Sequence, residues 1–217
     1  MSKRIIMVSD THEKHKQIAE VPDGDIFISA GDETMKGSLD ALQDYCNWMR
    51  DLPHKEKFFI FGNHSLGTEY GYKREPAINM VKDAGVHYLQ DSGVEIDGLH
   101  IWGSPINKWF HNWEYNRFPD ADIQKHWNLI PTNTNILITH GPCYGILDQV
   151  EPGQSDHLGD ENLLETVLKL KELKLSVCGH IHGSHGWTKQ GEVIYVNAAI
   201  CDESYNPTNK PIVIDLP

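Results

Sequence analysis

The sequence lacks the features that would hold a protein in a membrane or against nucleic acid. No stretch of its 217 residues approaches the roughly 20 consecutive apolar residues of a membrane span. The apolar stretch near the N-terminus is also shorter than the roughly 7–15 residues of a secretory signal. Basic residues are outnumbered, with 19 Lys and Arg against 31 Asp and Glu and a formal net charge of −12. Because nucleic-acid binding depends on neutralising phosphates, we expect neither a membrane nor a stable nucleic-acid partner.

Cysteine is also scarce. The four cysteines form no CxxC pair, which argues against a zinc ribbon and against a disulfide framework. Reduced thiols and a cytoplasmic setting are therefore expected. Histidine, by contrast, is abundant, with 13 residues against 6 Phe and 8 Tyr. Composition alone does not account for this surplus.

Short apolar runs alternate with helical patterns along the chain. Continuously apolar runs rich in Ile, Val and Phe are typical of strands buried on both faces. They predict strands at residues 4–9, 26–30, 57–62, 99–102, 135–139, 175–179, 193–197 and 212–214. Apolar stripes at helical spacing begin after a Ser38 cap and recur at 77–84 and 163–170.

The alternation predicts an α/β layered fold in a single domain, residues 1–217. Beyond residue 183 the helical patterns stop, and antiparallel strands joined by a turn at 190–191 are expected. The pattern is compatible with one sheet or with two packed sheets.

Polar residues follow five of the predicted strands. They are Asp10 and His12, Asp32, Asn63 and His64, His140, and His180 and His182. Strand ends of an α/β sheet converge on one rim, where such folds bind their ligands. Imidazole with carboxylate and carbonyl oxygen, and without thiolate, favours Mn, Fe, Zn, Co or Ni over a closed structural zinc site. The sequence therefore predicts a metal site at this rim.

The spacing within these motifs adds detail. Asp10 with His12, and His180 with His182, stand two residues apart, so in an extended segment each pair lies on one face. Asp32 is suited to bridge, because a carboxylate can hold two cations about 3.5–4 Å apart.

The motifs D-x-H, G-D, G-N-H, T-H-G-P and G-H-x-H, in that order, resemble those of the calcineurin-like metallophosphoesterase superfamily. The sequence is most similar to its metallophosphoesterase-domain-containing (MPPED-like) branch, through segments such as W-G-S-P at 102–105 and V-N-A at 196–198. The resemblance implies a four-layer α/β/β/α sandwich with mixed sheets. It also implies a centre of two divalent or transition metal ions, with Mn expected first and Fe, Zn, Co or Ni as alternatives.

The resemblance further implies a role for each motif residue. One metal would be held by Asp10, His12, Asp32 and His182. The second would be held by Asp32, Asn63, His140 and His180. His64 would be the general acid or a contact to the phosphoryl oxygen in the transition state.

Two departures from the family pattern stand out. The residue after G-N-H is commonly acidic in the family and orients the histidine, whereas here it is Ser65. A hydroxyl can orient an imidazole but does not raise its pKa as a carboxylate would, so the proton-donor strength of His64 is in question. The protein-phosphatase motif G-D-x-x-D-R-G is replaced by G-D-E-T-M-K-G at 31–37, which argues against a phosphoprotein phosphatase.

The function expected from this resemblance is a phosphodiesterase that hydrolyses nucleotide or cyclic-nucleotide phosphodiesters by metal-activated hydroxide. A phosphomonoesterase and a metal-binding scaffold with weak activity are the alternatives. A DNA nuclease fits the acidic charge less well. The oligomeric state is left open.

An aromatic segment at 102–118 is the candidate substrate wall. Asn107, Lys108 and Trp109 could contact a small phosphate-ester or nucleotide substrate, with the aromatic rings stacking on a base. Packing under a long loop, or a dimer contact, would explain the same rings. His157, in the predicted loop 144–159, is a further candidate contact, and that loop is either a lid or irregular surface.

Overall fold

The computed structural model describes residues 2–67, 73–151 and 153–217, so Pro152 of the predicted loop lies outside the described residues. Their strands form two large sheets. The first has the spatial order β13 (Ile212–Leu216), β1 (Lys3–Val8), β2 (Ile26–Ser29), β3 (Glu56–Phe59) and β4 (His87–Tyr88). The second has the order β11 (Gly186–Gln190), β12 (Val193–Asn197), β10 (Leu175–Cys178), β9 (Ile136–Thr139), β6 (Leu99–Ser104) and β5 (Ser92–Ile96).

Both sheets are mixed. In the first, β1, β2, β3 and β4 run parallel and β13 pairs antiparallel with β1. In the second, β6, β9, β10 and β12 run parallel, while β5 and β11 pair antiparallel at the two edges. Strands β11 and β12 form a hairpin whose turn contains Gly191, as predicted. A short parallel pair, β7 (Asn107–Lys108) and β8 (Asn116–Arg117), lies outside both sheets.

Helices cover the outer faces. They are α1 (Leu39–Asp51), α2 (Asn63–Leu66), α3 (Arg74–Asp83), α4 (Ala121–Trp127) and α5 (Glu161–Val167). The Ser38 cap is confirmed, since its Oγ accepts a hydrogen bond from the Ala41 N–H (3.3 Å). The stripes at 77–84 and 163–170 correspond to α3 and α5, each ending earlier than predicted. Helices α2 and α4 and strands β4, β5, β7 and β8 were not predicted.

Alternate residues of the inner strands enter different apolar clusters. Ile5 and Met7 of β1 pack with Ile138 of β9 and Val177 of β10, in a cluster drawn from both sheets. Their neighbours, such as Ile6, belong to a second cluster that includes the apolar faces of the helices. The strands are thus buried on both faces, which explains their continuous apolar runs. The α/β/β/α sandwich is confirmed, and it resolves the choice between one sheet and two.

The two sheets join where the polar motifs follow their strands. Beyond β1, Ser9 donates its N–H to the Ala198 carbonyl (2.8 Å) and accepts from the Ile200 N–H (2.8 Å). Asp10 N–H similarly bonds the Gly31 carbonyl (2.9 Å) within the first sheet. These bonds bring the ends of strands from both sheets to one shared rim. None of the helices described is long and apolar enough to cross a membrane.

Candidate metal centre

All the motif residues meet at this rim, in two clusters. Asp10, His12 and His182 form the first cluster, and Asp32, His140 and His180 form the second. Within each, the candidate ligand atoms lie within 4.8 Å of one another. These are six of the seven predicted ligands, and the seventh, Asn63, adjoins the second cluster.

The first cluster is built from buried side chains that face one another. The Nε2 atoms of His12 and His182 are 3.2 Å apart, and Asp10 Oδ1 lies 3.3 Å from His182 Nε2. Each imidazole is fixed from behind, since His12 Nδ1 donates to the Thr34 carbonyl (3.2 Å) and His182 Nδ1 to the Asp202 carbonyl (2.9 Å). A carbonyl only accepts, so in the neutral rings the Nε2 lone pairs point into the cluster.

The second cluster has the same construction. His140 Nδ1 donates to the Ala30 carbonyl (2.9 Å), which leaves Nε2 facing Asp32 Oδ2 (3.2 Å) and Asn63 Oδ1 (3.0 Å). The His180 ring lies 5.0 Å from that of His140. The cluster therefore presents imidazole, carboxylate and amide oxygen together, which is a ligand set for a divalent transition metal.

Asp32 occupies a central position. Its Oδ1 accepts a hydrogen bond from the His64 N–H (2.7 Å) while Oδ2 faces His140. Burial alone would raise the pKa of Asp32, but the nearby imidazoles of His140, His64 and His12 hold that pKa well below its usual range. Asp32 thus interacts electrostatically with histidines of both clusters.

The two buried carboxylates of the site attract positive charge. Burial opposes the protonation of the imidazoles. Asp32 nevertheless raises the pKa of His140 to about 9, and Asp10 raises that of His182 to about 9. Burial lowers the pKa of His12 to about 4 and that of His180 to about 3. Two buried carboxylates thus keep protons on two of the four imidazoles. A cation placed among these groups would replace those protons, because metal ligands must be deprotonated.

The buried polar atoms and the backbone conformation are also consistent with cation binding. Among the described residues, Asp10 Oδ1 has no hydrogen-bond partner, and neither does Asn63 Nδ2. Asp10, His12, Asp32 and His180 adopt positive φ angles of 50°, 41°, 54° and 68°. Non-glycine residues held in this region cluster at active sites and ligand sites.

Glycine at two motif positions allows the groups to approach. A Cβ at Gly62 would collide with Asp32 and His140, and one at Gly179 with Asp10 and Ser9. The glycines beside these strand ends therefore make room for the ligands, in addition to any role in turning the chain.

His64 lies at the start of α2 and points its ring across the site. Its Nδ1 donates to the Met35 carbonyl (2.7 Å), which leaves Nε2 as the free nitrogen. The ring lies 4.9 Å from that of His12 and 4.3 Å from that of Trp113.

The Ser65 hydroxyl, which could have oriented the His64 imidazole, bonds other groups. Its Oγ donates to Glu33 Oε2 (2.7 Å) and accepts from the Gly62 N–H (2.8 Å). In the part of the chain that the structure describes, no hydrogen bond joins Ser65 to the His64 ring. The Met35 carbonyl fixes that ring instead, so the departure at position 65 leaves the imidazole oriented.

The four predicted substrate contacts line one cleft beside the second cluster. Asn107, Lys108, Trp109 and His157 surround a volume of about 330 Å³, together with Phe110, Leu158, His180 and Ile181. Asn107 Nδ2 lies 3.1 Å from His180 Nε2, so the cleft adjoins an imidazole of the second cluster.

The polar groups of this cleft are already partnered. Lys108 Nζ donates to the Gly159 carbonyl (3.0 Å) and to Glu161 Oε2 (2.8 Å), and His157 Nδ1 bonds Asp148 Oδ1 (2.7 Å). The Lys108 ammonium is thus paired with the Glu161 carboxylate. Loop 144–159 supplies His157 and Leu158 to the wall of the cleft and is tied to β7 through Lys108.

The aromatic residues of segment 102–118 lie partly in the core and partly at the cleft. Tyr115 is buried in the core, whereas Trp109 is 43% exposed and stacks on Phe118 with ring centroids 5.3 Å apart. Packing under a loop therefore explains Tyr115, and the rings of Trp109 and Phe110 remain available at the cleft.

A second cavity of about 130 Å³ lies over the clusters. Its walls are Asp32, Asn63, His64, Phe110, His180, His182, Glu203 and Tyr205. Phe110, Glu203 and Tyr205 were not among the predicted site residues. Phe110 lay inside the aromatic segment and could have been chosen from it. Glu203 and Tyr205 follow no strand-end motif.

Comparison with known proteins gives a consistent result. Residues 3–184 match the family model described as Calcineurin-like phosphoesterase. The chain is 37% identical to Metallophosphoesterase domain-containing protein 1 of Homo sapiens, in a match covering 99% of this chain and 71% of that protein. A UPF0046 protein of Caenorhabditis elegans is 33% identical over 99% of this chain and 75% of that protein.

Solved structures share the fold at low identity. One superposes with a TM-score of 0.72 at 13% identity over 100% of both chains. A Thermus thermophilus protein gives 0.59 at 14% identity over 99% of both. These likenesses show the fold alone.

Proposed function

The chain belongs to the calcineurin-like phosphoesterase family, within its metallophosphoesterase-domain-containing branch, and from that premise we propose that it is a phosphodiesterase with a two-metal centre. One observation carries the proposal. Two clusters of buried ligand atoms stand side by side at one rim, with Asp32 in electrostatic contact with both. Three of their imidazoles are held through Nδ1 so that Nε2 faces inward.

The residues present fit two divalent cations. We assign one to Asp10, His12, Asp32 and His182 and the other to Asp32, Asn63, His140 and His180. Mn is the first choice that the family resemblance implies, and the mixed imidazole and oxygen ligands are compatible with it. When bound, such cations activate water as the nucleophile and offset charge on the phosphoryl oxygens. Asp10 Oδ1 supports this assignment, because this buried oxygen accepts no hydrogen bond of regular geometry although His182 Nε2 lies 3.3 Å away, and a cation would supply a better partner.

The chain's own groups account for the remaining chemistry. His64 has its Nδ1–H held by the Met35 carbonyl, so Nε2 is the atom that faces the substrate; as the imidazolium, with a second proton on Nε2, it would give that proton to the leaving oxygen or donate to a phosphoryl oxygen. Asn63 contributes a neutral oxygen, which limits the negative charge that an anionic substrate meets.

The shape of the site leaves room for an ester substituent beside the phosphoryl group. The cavity over the clusters, about 130 Å³, and the cleft beside them, about 330 Å³, share Phe110 and His180 as walls. A phosphoryl group in the first would place one ester substituent in the second. The aromatic surface there suits a nucleobase, so we propose nucleotide or cyclic-nucleotide diesters as substrates. Unpaired, buried cysteines agree with the cytoplasmic setting, which is part of the same proposal.

The proposal is tested by a substrate panel with the purified protein. We expect manganese-dependent hydrolysis of bis(4-nitrophenyl) phosphate, with kcat/KM at least about tenfold above that for 4-nitrophenyl phosphate. EDTA should abolish turnover and added manganese should restore it. A higher rate on the monoester would favour the phosphomonoesterase, and no rate above the metal-free control would favour the scaffold.

The nucleotide proposal is tested by Trp109→Ala. Loss of a stacking ring, worth about 1–3 kcal/mol per base, should raise KM for a cyclic nucleotide by roughly 5–150-fold and leave KM for a methyl aryl diester nearly unchanged. Trp187→Ala is the control, because Trp187 is an exposed ring (59%) on β11 away from the cleft. Equal effects of the two variants on the cyclic nucleotide would contradict base stacking at Trp109.

A further inference from the structure

Tyr205 is an aromatic residue that does not belong to the apolar core. It is 36% exposed, yet its backbone is held at a φ of +60°, a region that a bulky residue rarely adopts. Strain of this kind persists only where surrounding structure enforces it, and it points to a use for the side chain.

The surrounding loop fixes Tyr205 firmly. The Asp202 side chain accepts the N–H groups of Ser204 and Asn206 (both 2.9 Å), and the Asp202 carbonyl accepts that of Tyr205 (2.9 Å). The same carbonyl accepts His182 Nδ1 (2.9 Å). One oxygen atom therefore links the position of Tyr205 to that of a candidate metal ligand.

The loop directs the Tyr205 ring onto the site. Its centroid lies 4.8 Å from that of His12, 5.4 Å from that of His182 and 6.3 Å from that of His64. All three contacts are edge-on. Tyr205 also lines the cavity of about 130 Å³, on the side of the first cluster, while Phe110 lies against His180 of the second.

We propose that Tyr205 is a substrate-contacting residue whose ring forms the wall of the phosphoryl cavity on the His12–His182 side. The inference rests on the proposed function of the site. Closing that side excludes water and lowers the local dielectric, which strengthens the binding of an anion. The ring, rather than the hydroxyl, performs this role.

Two variants separate the ring from the hydroxyl. Tyr205→Asn removes the ring, and asparagine tolerates a positive φ better than most residues, so the loop retains its conformation. Tyr205→Phe keeps the ring and removes the hydroxyl. Trp187→Asn is the control, since it removes an exposed ring from β11.

The primary measurement is calorimetric binding of inorganic phosphate to the manganese-loaded protein, with metal content determined on the same samples. We expect Tyr205→Asn to weaken phosphate binding and to raise KM for a diester by about tenfold. Metal content and kcat should stay near their original values. Tyr205→Phe and Trp187→Asn should remain within about threefold of the unaltered chain.

Four results would overturn this role. Unchanged phosphate affinity in Tyr205→Asn would show that the ring does not form the wall, as would an unaltered chain that binds no phosphate. Loss of metal in Tyr205→Asn would mean that the residue positions His182 instead. Equal losses in the Phe and Asn variants would assign the effect to the hydroxyl. Since phosphate binding needs no turnover, a chain that binds phosphate but hydrolyses no ester would refute the proposed function alone.

Discussion

Asp32→Asn will lower kcat by at least about 10³-fold and reduce the metal content of the purified protein. The change keeps the shape of the side chain and tolerates the φ of +54°, so it removes chiefly the negative charge. The Asp32 carboxylate is buried, and its Oδ2 lies 3.2 Å from His140 Nε2. We assign this carboxylate as a ligand of both cations. Kinetics with excess manganese, together with elemental analysis of the gel-filtered protein, measure the two effects.

Asp120→Asn is the matched control for this substitution. Asp120 also has a positive φ, of 65°, but it is exposed at the start of α4 and away from the rim. It should retain full activity and metal content. If Asp32→Asn bound two metals and turned over normally, the assignment of Asp32 as the shared ligand would be wrong.

His64→Ala will lower kcat by roughly 10²–10⁴-fold on a diester with an alkoxide leaving group, without loss of metal. The backbone N–H of His64 donates to Oδ1 of Asp32, one of the proposed ligands, and this bond is kept in alanine. Only the imidazole held by Met35 is lost. Elemental analysis should therefore match that of the unaltered protein.

The choice of leaving group separates the two roles given to His64. A 4-nitrophenolate leaves with little need for a proton, so a general acid predicts a loss below about tenfold on that ester. A contact to the phosphoryl oxygen predicts similar losses on both esters. His87→Ala is the control, because His87 is a partly exposed histidine paired with Glu56. A loss of metal in His64→Ala would contradict its placement outside the ligand set.

The rim could be predicted because each motif follows a strongly apolar strand. Val8, Ser29 and Thr139 end strands that are buried along most of their length, and the polar residues come directly after them. Burial on both faces produces continuous apolar runs, so such strands can be predicted without knowing which strands they pair with. The order of motifs then sufficed to indicate the family and its fold.

The elements that were missed have weak local signals. Strand β4 is two residues long, and β5 is half-buried with alternating exposure. Helix α4 spans seven residues, and its N-cap Asp120 makes no side-chain capping hydrogen bond. Trp127 is buried there because its Nε1–H donates to Asp160 (2.7 Å), a contact between distant segments. Tertiary contacts, rather than local pattern, determine these elements.

Site residues outside the strand ends were missed for a related reason. Tyr205 reaches the site because the Asp202 carbonyl binds both its backbone and His182. Nothing in the spacing of residues 202–206 reveals that shared acceptor. Met35 likewise orients His64 through a main-chain oxygen, which residue identity does not encode.

The joint between the two sheets has a consequence for how the protein folds. His12 and His182, whose Nε2 atoms are 3.2 Å apart, are 170 residues apart in the sequence. Bringing them together requires closure of a very long loop, so the pair forms only when both sheets have assembled. A cation bound between them therefore favours the fully assembled chain over partly folded forms. At a free concentration about a thousandfold above its dissociation constant, it would add about 4 kcal/mol to the free energy of unfolding.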